Sequence, residues 1–244
     1  MKEFEFNFSK KNILIVGGSS GIGYQAGILF AKLGGNVIVT SKKNKSLEDF
    51  SKKNNIEKIK IMQLDVTNEI SIERLTDKIS SLDILVNCAA LVKGGVEYRI
   101  ENFSDVVNVN LMGALRICHE MLPKLALTRG NIINLSSVNT RMANSSSPAY
   151  ASTKSGIEAL TRSMAACWAT HNVRVNSVAP GWIESNTYHS LTKDLSECNY
   201  SERIPLKRLG KPDEVANVIV FLASKYASYI TGSTILVDGG FSIN

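Results

Sequence analysis

The sequence predicts an α/β fold in a single domain: a doubly wound parallel sheet of about seven strands, with helices on both faces. Short apolar runs alternate along the chain with segments of helical periodicity, as in parallel strands joined by helices. The chain has 244 residues, of which 44% are hydrophobic, so it can bury one substantial core. No composition break, repeat or low-complexity tract divides the sequence.

The strands are predicted from short runs that are largely apolar, as expected of strands buried on both faces. In chain order these runs are Asn12–Val16, Asn36–Thr40, Ile59–Gln63, Ile84–Asn87, Asn131–Leu135, Val173–Val178 and Thr234–Val237. The segments that predict helices are Gly21–Leu33, a lysine-rich stretch ending near Asn54, Asn68–Ser80, Phe103–Leu127, Tyr150–Thr170 and Pro212–Ala223. Gly34 and Gly35 end the first helix, and Pro212 opens the last one.

The first ten residues are predicted to form a tail or a short edge strand ahead of the domain, which spans 11–244. Phe4, Phe6 and Phe8 alternate there with polar or charged residues. This apolar pattern is too short for a signal peptide or a membrane span, so we expect no membrane association.

Composition argues against several classes of protein. The four cysteines form no Cys-x-x-Cys pair, which predicts free thiols in a reducing compartment, the cytoplasm. The three histidines lack metal-ligand spacing, so we expect no metal site. The net charge of +6 owes much to lysines between Lys42 and Lys60. They lack interleaved aromatic residues and are interpreted as a solvated helix and its flanks, so we expect no nucleic-acid partner.

Several candidate functional residues lie at the carboxyl end of a predicted strand or just after it. Gly17, Asn87, Ser137 and Pro180 each occupy such a position. Because ligands of open parallel sheets bind beyond the carboxyl ends of the strands, we expect these residues to border one binding crevice.

A glycine-rich turn, Gly17–Gly23, joins the first strand to the first helix. Glycine permits positive φ and a close backbone approach, and a helix amino end offers free N–H groups to a pyrophosphate. The turn therefore predicts a dinucleotide site. Its expected contacts are Gly17, Ser19, Ser20, Gly21, Ile22 and Gly23.

The end of the second strand predicts which nicotinamide cofactor binds. An acidic side chain at this point usually holds the ribose 2′-hydroxyl of NAD. This chain instead has Ser41, Lys42 and Lys43, which suit a 2′-phosphate, so NADP is favoured over NAD. The alternative is that both lysines are merely solvated and the pocket accepts either cofactor.

Tyr150 and Lys154 are four residues apart on a predicted helix and therefore share one face. An ammonium beside a phenol is expected to lower the pKa of the phenol, so that it can exchange a proton near neutral pH. Ser137 lies thirteen positions upstream of Tyr150, at the end of an apolar run. The alternative is an accidental surface pair.

Taken together, the motifs resemble those of the short-chain dehydrogenases/reductases, in their compact single-domain branch, from about residue 11 to the end. Besides the glycine turn and the Tyr150–Lys154 pair, the matching stretches are Asp65-Val66, Asn87–Ala90, Asn108–Asn110, Ser136-Ser137, Asn176–Gly181 and Gly232–Gly240. The resemblance implies a Rossmann-like fold and a nicotinamide cofactor.

The resemblance also implies residue roles. Tyr150 would be the general acid or base, Lys154 would lower its pKa and hold the nicotinamide ribose, and Ser137 would hydrogen-bond the substrate oxygen. Asn110 would support a water that feeds protons through Lys154. The remaining implied cofactor contacts are Asp65 and Val66 at the adenine, Asn87 and Ala89 near the ribose, and Pro180, Gly181 and Ile183 along the nicotinamide.

The function predicted from these residues is NADP-dependent hydride transfer between the nicotinamide and a small ketone or secondary alcohol. One alternative is a 3-oxoacyl-[acyl-carrier-protein] reductase of fatty-acid synthesis. Another, of a different class, is a catalytically silent NADP-binding sensor or scaffold. The irregular segment at about 182–204 is predicted to be a substrate lid. Resemblance of the long helices and the carboxyl terminus to family interfaces implies a homotetramer.

Overall fold

A seven-stranded, wholly parallel sheet forms the centre of the computed structural model, which describes residues 5–53, 59–184 and 200–243. Its strands are β1 (Asn12–Val16), β2 (Asn36–Ser41), β3 (Ile59–Gln63), β4 (Ile84–Asn87), β5 (Asn131–Leu135), β6 (Arg174–Pro180) and β7 (Thr234–Val237). Their order in the sheet is β3-β2-β1-β4-β5-β6-β7. The predicted fold class is confirmed.

The strand order reverses between β1 and β4, which are neighbours although β2 and β3 separate them along the chain. Ile13 of β1 pairs with Val37 of β2 on one side and with Ile84 of β4 on the other. Successive connections run outward from this point in opposite directions. The loops after β1 and β4 therefore diverge and leave a crevice at the carboxyl edge of the sheet.

Eight helices in the described residues surround the sheet. They are α1 (Gly21–Lys32), α2 (Asn44–Lys53), α3 (Glu69–Thr76), α4 (Ile100–Val107), α5 (Gly113–Thr128), α6 (Pro148–Trp168), the short α7 (Tyr200–Arg203) and α8 (Pro212–Ala223). None of the helices described is long and apolar enough to cross a membrane.

The core has two parts, one on each face of the sheet. Alternation along β1 sends Ile13 and Ile15 into a cluster with residues of α1 and α8, and Leu14 and Val16 into a cluster with residues of α3, α5 and α6. Both clusters are closed by side chains that are almost fully buried. This two-sided burial explains why the central strands β1, β4 and β5 are largely apolar runs rather than alternating ones.

The helix predicted at Phe103–Leu127 is longer and irregular. It starts at Ile100, and the chain passes from α4 into α5 through a π-helical segment at Asn108–Met112. A π turn inserts one residue into the helix and is frequent at functional sites. Apolar periodicity does not reveal such an insertion, because it disturbs the pattern by a single position.

Other boundaries differ by a few residues. Helix α6 starts two residues early at Pro148, α3 ends at Thr76, and β6 continues to Pro180. Residues 5–8 form no strand; Phe8 is buried and meets Phe30 edge to face. Phe4 lies outside the described residues, and so does most of the predicted lid, residues 185–199.

Candidate active site

The carboxyl end of β5 and the start of α6 bring the predicted catalytic residues together. Tyr150 and Lys154 lie on the face of α6 that covers Ser137, which follows β5. The hydroxyl of Ser137 lies close enough to the phenol of Tyr150 to lower its pKa. The ammonium of Lys154 donates to the backbone oxygen of Leu135 at 2.6 Å and lies 5.5 Å from the centroid of the Tyr150 ring.

Burial controls the protonation of this pair. It raises the pKa of Tyr150 above its ordinary value; the nearby hydroxyl of Ser137 lowers the pKa, and the charge of Glu97 raises it further. Burial also lowers the pKa of Lys154 to about 8, with Cys88 acting in the opposite direction.

The predicted lowering of the pKa of Tyr150 by Lys154 stays a prediction, because the raised pKa of the phenol is the net result of burial, Ser137 and Glu97. The lysine ammonium donates to the oxygen of Leu135 and also lies near the aromatic ring of Tyr150. Residues at i and i+4 do share a helix face, but the spacing does not fix where a long side chain ends. Burial of the phenol outweighs the lowering effect of the Ser137 hydroxyl and leaves the pKa of Tyr150 raised.

Asn110 lies in the π segment and joins two other parts of the site. Its Oδ1 accepts from the backbone N–H of Leu91 at 2.7 Å, and its Nδ2 donates to the backbone oxygen of Leu91 at 2.9 Å and to Thr153 Oγ1 at 3.2 Å. The side chain thus fastens the chain after β4 to α6. Its predicted support of a proton-carrying water stays a prediction.

The glycine turn has the shape that a pyrophosphate requires. Gly17 has φ +77°, and a Cβ there would lie 2.6 Å from the backbone of Ala89. A Cβ on Gly23 would lie 2.8 Å from the oxygen of Gly17. Around Gly21, which has φ +56°, the space is open.

The first turn of α1 is free of local competitors for an anion. The side chain of Ser20, the N-cap residue, makes no hydrogen bond to the N–H groups of the first turn, and this turn contains no acidic residue. The backbone N–H groups and the dipole of a helix start attract negative charge. This donor set and the close-packed glycines fit the pyrophosphate of a nicotinamide dinucleotide.

At the ends of β2 and β3, Lys42 and Asp65 form an ion pair with 2.8 Å between Nζ and Oδ2. Asp65 also accepts from the backbone N–H and the hydroxyl of Thr67. Burial alone raises the pKa of Asp65, but the bonds from Lys42 and Thr67 outweigh it and leave the pKa lowered. The lysine predicted to bind a 2′-phosphate therefore already has a carboxylate partner. Ser41 accepts from the backbone N–H of Lys43.

The other predicted cofactor residues line the same edge with different degrees of exposure. The amide nitrogen of Asn87 donates to Asn134 Oδ1 at 2.9 Å, whereas its buried Oδ1 has no hydrogen-bond partner in the described residues. The side chain of Val66 packs in the core, so only its backbone can face a cofactor.

At the end of β6, Pro180, Gly181 and Ile183 lie along the sheet edge. The N–H of Gly181 donates to Val237 of β7, and Ile183 pairs with Gly210 in an isolated bridge. These bonds hold the segment in place beside the carboxyl ends of β6 and β7.

The sequence predicted no role for Glu97, although the segment Leu91 to Glu97 was expected to shape the pocket. This glutamate is fully buried and accepts a hydrogen bond from the backbone N–H of Tyr150 at 2.9 Å. A single glutamate between two loop glycines and a helix is usually a solvated residue, so no local pattern distinguishes it. In the described residues, no group of three or more His, Cys, Asp or Glu is placed to hold a metal ion.

Comparison with known proteins agrees with this geometry. A family model described as enoyl-(acyl carrier protein) reductase matches residues 16–242. The 3-oxoacyl-[acyl-carrier-protein] reductase FabG of Thermotoga maritima is 38% identical over 243 residues, covering 96% of this chain and 98% of the relative. That of Aquifex aeolicus is 35% identical over 247 residues, covering 97% and 99%.

Solved structures are similar over nearly the whole chain. The structure titled gox2181 has a TM-score of 0.92 and 28% identity, and covers 98% of both chains. A short-chain type dehydrogenase/reductase from Mycobacterium ulcerans has a TM-score of 0.90 and 27% identity, covering 98% of this chain and 92% of that one.

The chain belongs to the short-chain dehydrogenase/reductase family, as a single-domain member. It is an NAD(P)-dependent oxidoreductase that acts on a carbonyl or alcohol group.

Proposed function

We propose that this protein reduces a ketone to a secondary alcohol with NADPH, and that Tyr150 donates the proton. The observation that carries the proposal is the proximity of the Ser137 hydroxyl to the phenol of Tyr150, beside a buried Lys154. A carbonyl oxygen bound between the two hydroxyls would receive hydrogen bonds that strengthen as negative charge develops on it.

The protonation states support reduction. With its pKa above the ordinary value, Tyr150 carries its proton at neutral pH and acts as the general acid. Lys154 has a pKa of about 8 and is largely protonated at that pH. Its charge stabilises the phenolate left after proton transfer. The bound cofactor supplies the hydride.

The preference for NADP rests on charge at the end of β2. Ser41, Lys42 and Lys43 are exposed or half-buried, and no carboxylate is among them. Asp65, which follows β3, holds Lys42 in an ion pair. A 2′-phosphate would have to share or displace this partner, while Lys43 adds a second positive charge nearby.

A 3-oxoacyl thioester is the second candidate substrate. It is favoured by the FabG relatives, which carry the name 3-oxoacyl-[acyl-carrier-protein] reductase at 35–38% identity. Arg129 adds a basic residue at the carboxyl end of α5, where the chain turns left-handed with φ 52°. Such a residue would meet an acidic carrier protein.

The decisive experiment is an NADPH-oxidation screen across ketones, diketones, oxo-acids and acetoacetyl thioesters. We expect turnover of at least one carbonyl class and its loss in Tyr150→Phe, which keeps the ring and removes the proton donor. Preference for a thioester would establish the second candidate. Tight NADPH binding without turnover of any carbonyl would instead favour the silent sensor. Equal activity of Tyr150→Phe would refute the proposed chemistry.

We further propose a homotetramer located in the cytoplasm. Exposed apolar side chains lie just before α4 and at its start, where Tyr98 is 69% and Ile100 78% exposed, and a subunit interface would cover them. Cys88, Cys118 and Cys167 are free thiols, as in proteins of reducing compartments; Cys198 lies outside the described residues. A monomeric mass in solution would contradict the assembly.

A further inference from the structure

Glu97 lies between β4 and α4, and none of its surface is exposed. Acidic side chains are almost never fully buried unless hydrogen bonds satisfy their oxygens. Here Oε1 accepts from the backbone N–H of Lys93 at 2.8 Å, and Oε2 accepts from the backbone N–H of Tyr150 at 2.9 Å. One oxygen therefore holds the loop, and the other holds the helix that carries the proton donor.

The bond to Tyr150 caps α6 from a distant part of the chain. The first N–H groups of a helix have no intrahelical partner, and Ser147 at the N-cap makes no side-chain bond to them. Glu97 provides an acceptor for the third residue of the helix. A carboxylate at this end is also favoured by the helix dipole.

A second connection makes the attachment of this loop to α6 rigid. Leu91, in the same loop, is held through both its backbone N–H and its oxygen by Asn110, which also bonds to Thr153 of α6. The loop is thus tied to α6 at two points. The one formed by Glu97 involves the backbone of Tyr150 itself.

Glu97 also contributes charge at the proton donor. The groups around Tyr150 are Ser137 after β5, Glu97 on the loop, and Lys154 on its own helix, with Cys88 after β4 near the lysine. Burial is the main cause of the raised pKa of Tyr150, and the charge of Glu97 acts in the same direction. Its effect is opposite to that of a nearby cation such as Lys154.

We propose that Glu97 is the positioning residue of this site: its carboxylate fixes the amino end of α6 and the adjoining loop, and supplies the negative charge that Tyr150 meets from that side. The inference rests on the proposed role of Tyr150 as proton donor. This positioning role explains why a charged residue occupies a fully buried position. An uncharged side chain would lack the negative charge, and most would also lack two acceptor oxygens.

Two substitutions separate the geometry from the charge. Glu97→Gln keeps the length and one acceptor oxygen but removes the charge. Glu97→Asp keeps the charge but is one methylene shorter, so it cannot reach both N–H groups. Glu101→Gln is the matched control, because it makes the same substitution at an exposed glutamate in the first turn of α4.

The first readout needs neither substrate nor turnover. Ionisation of Tyr150 is followed by ultraviolet difference spectroscopy against pH, and the contribution of Tyr150 is isolated by subtracting the same titration of variants that also carry Tyr150→Phe. We expect Glu97→Gln to move the midpoint to lower pH and Glu101→Gln to leave it unchanged. A midpoint unchanged in Glu97→Gln, or shifted equally in Glu101→Gln, overturns the proposal.

The second readout is the pH profile of alcohol oxidation, using the alcohol product of whichever ketone the screen identifies. Its rising limb should shift to lower pH in Glu97→Gln. In Glu97→Asp the limb should keep its position while kcat falls severalfold and the KM for NADP stays unchanged. An unaltered kcat in Glu97→Asp overturns the positioning role. This test does not require Glu97→Gln to fold. Inactivity of the wild type towards every carbonyl would refute the proposed function and leave the spectroscopic titration as the test.

Discussion

Gly17→Ala should damage the cofactor turn much more than Gly21→Ala, although both glycines have positive φ. A Cβ at position 17 would lie 2.6 Å from the N and Cα atoms of Ala89, both of them backbone atoms that cannot rotate away. At position 21 a Cβ would meet nothing within 4 Å. The two substitutions therefore share the conformational strain and differ in the clash.

The expected costs follow from this difference. A left-handed alanine costs about 1–2 kcal/mol, which is the whole cost at Gly21. At Gly17, forcing a methyl group into a packed contact adds about 1–3 kcal/mol. For a chain of this length each kcal/mol lowers Tm by about 2–4 °C.

Thermal and urea unfolding of the two variants without cofactor would measure these costs, and the KM for NADPH would report on the pyrophosphate site. The displaced Ala89 loop should also raise this KM in Gly17→Ala. Equal destabilisation of the two variants would refute the argument from close packing and leave only backbone strain.

Two further predictions concern charge. Because burial lowers the pKa of Lys154 to about 8 in the folded state, the unfolded state binds more protons above that pH, so stability should rise between about pH 8 and 10. Lys154→Met should abolish this rise in urea unfolding at several pH values, and should abolish turnover. Asp65→Asn removes the carboxylate partner of Lys42 and should lower the KM for NADPH severalfold relative to that for NADH.

Each of these predictions has a control. For Asp65→Asn it is Asp83→Asn, because Asp83 also forms a 2.8 Å ion pair with a lysine, Lys11, but away from the cofactor crevice. A similar change of cofactor preference in both variants would contradict the role of Asp65. For Lys154, a stability slope that persists in the methionine variant would show that other groups cause it.

Continuous apolar runs were sufficient to predict the sheet. Each of the seven runs became a strand of the parallel sheet. In β1, β4 and β5, burial on both faces leaves a largely apolar run, whereas β3 exposes Lys60 and Ile61. Helices were less exact at their ends. The π segment at Asn108–Met112 was missed, since an insertion of one residue changes periodicity very little.

In the site, short-range spacing predicted proximity but not orientation. Tyr150 and Lys154 share a helix face as expected, yet the ammonium binds the oxygen of Leu135, and burial of the phenol leaves the pKa of Tyr150 raised. Lys42 similarly has a carboxylate partner, Asp65, that comes from the next strand. Both contacts depend on groups that come from other strands of the sheet, Leu135 of β5 and Asp65 after β3.

The sequence by itself determined the order of strands and helices, the glycine turn and the spacing of Tyr150 and Lys154, because each depends on neighbours within a few positions. Only the tertiary structure decided which groups surround them. Burial raises the pKa of Tyr150 and lowers that of Lys154. Glu97, which is 53 residues from Tyr150 along the chain, caps the helix that contains Tyr150. Desolvation and long-range hydrogen bonds arise only when distant segments pack, so local sequence patterns do not encode them.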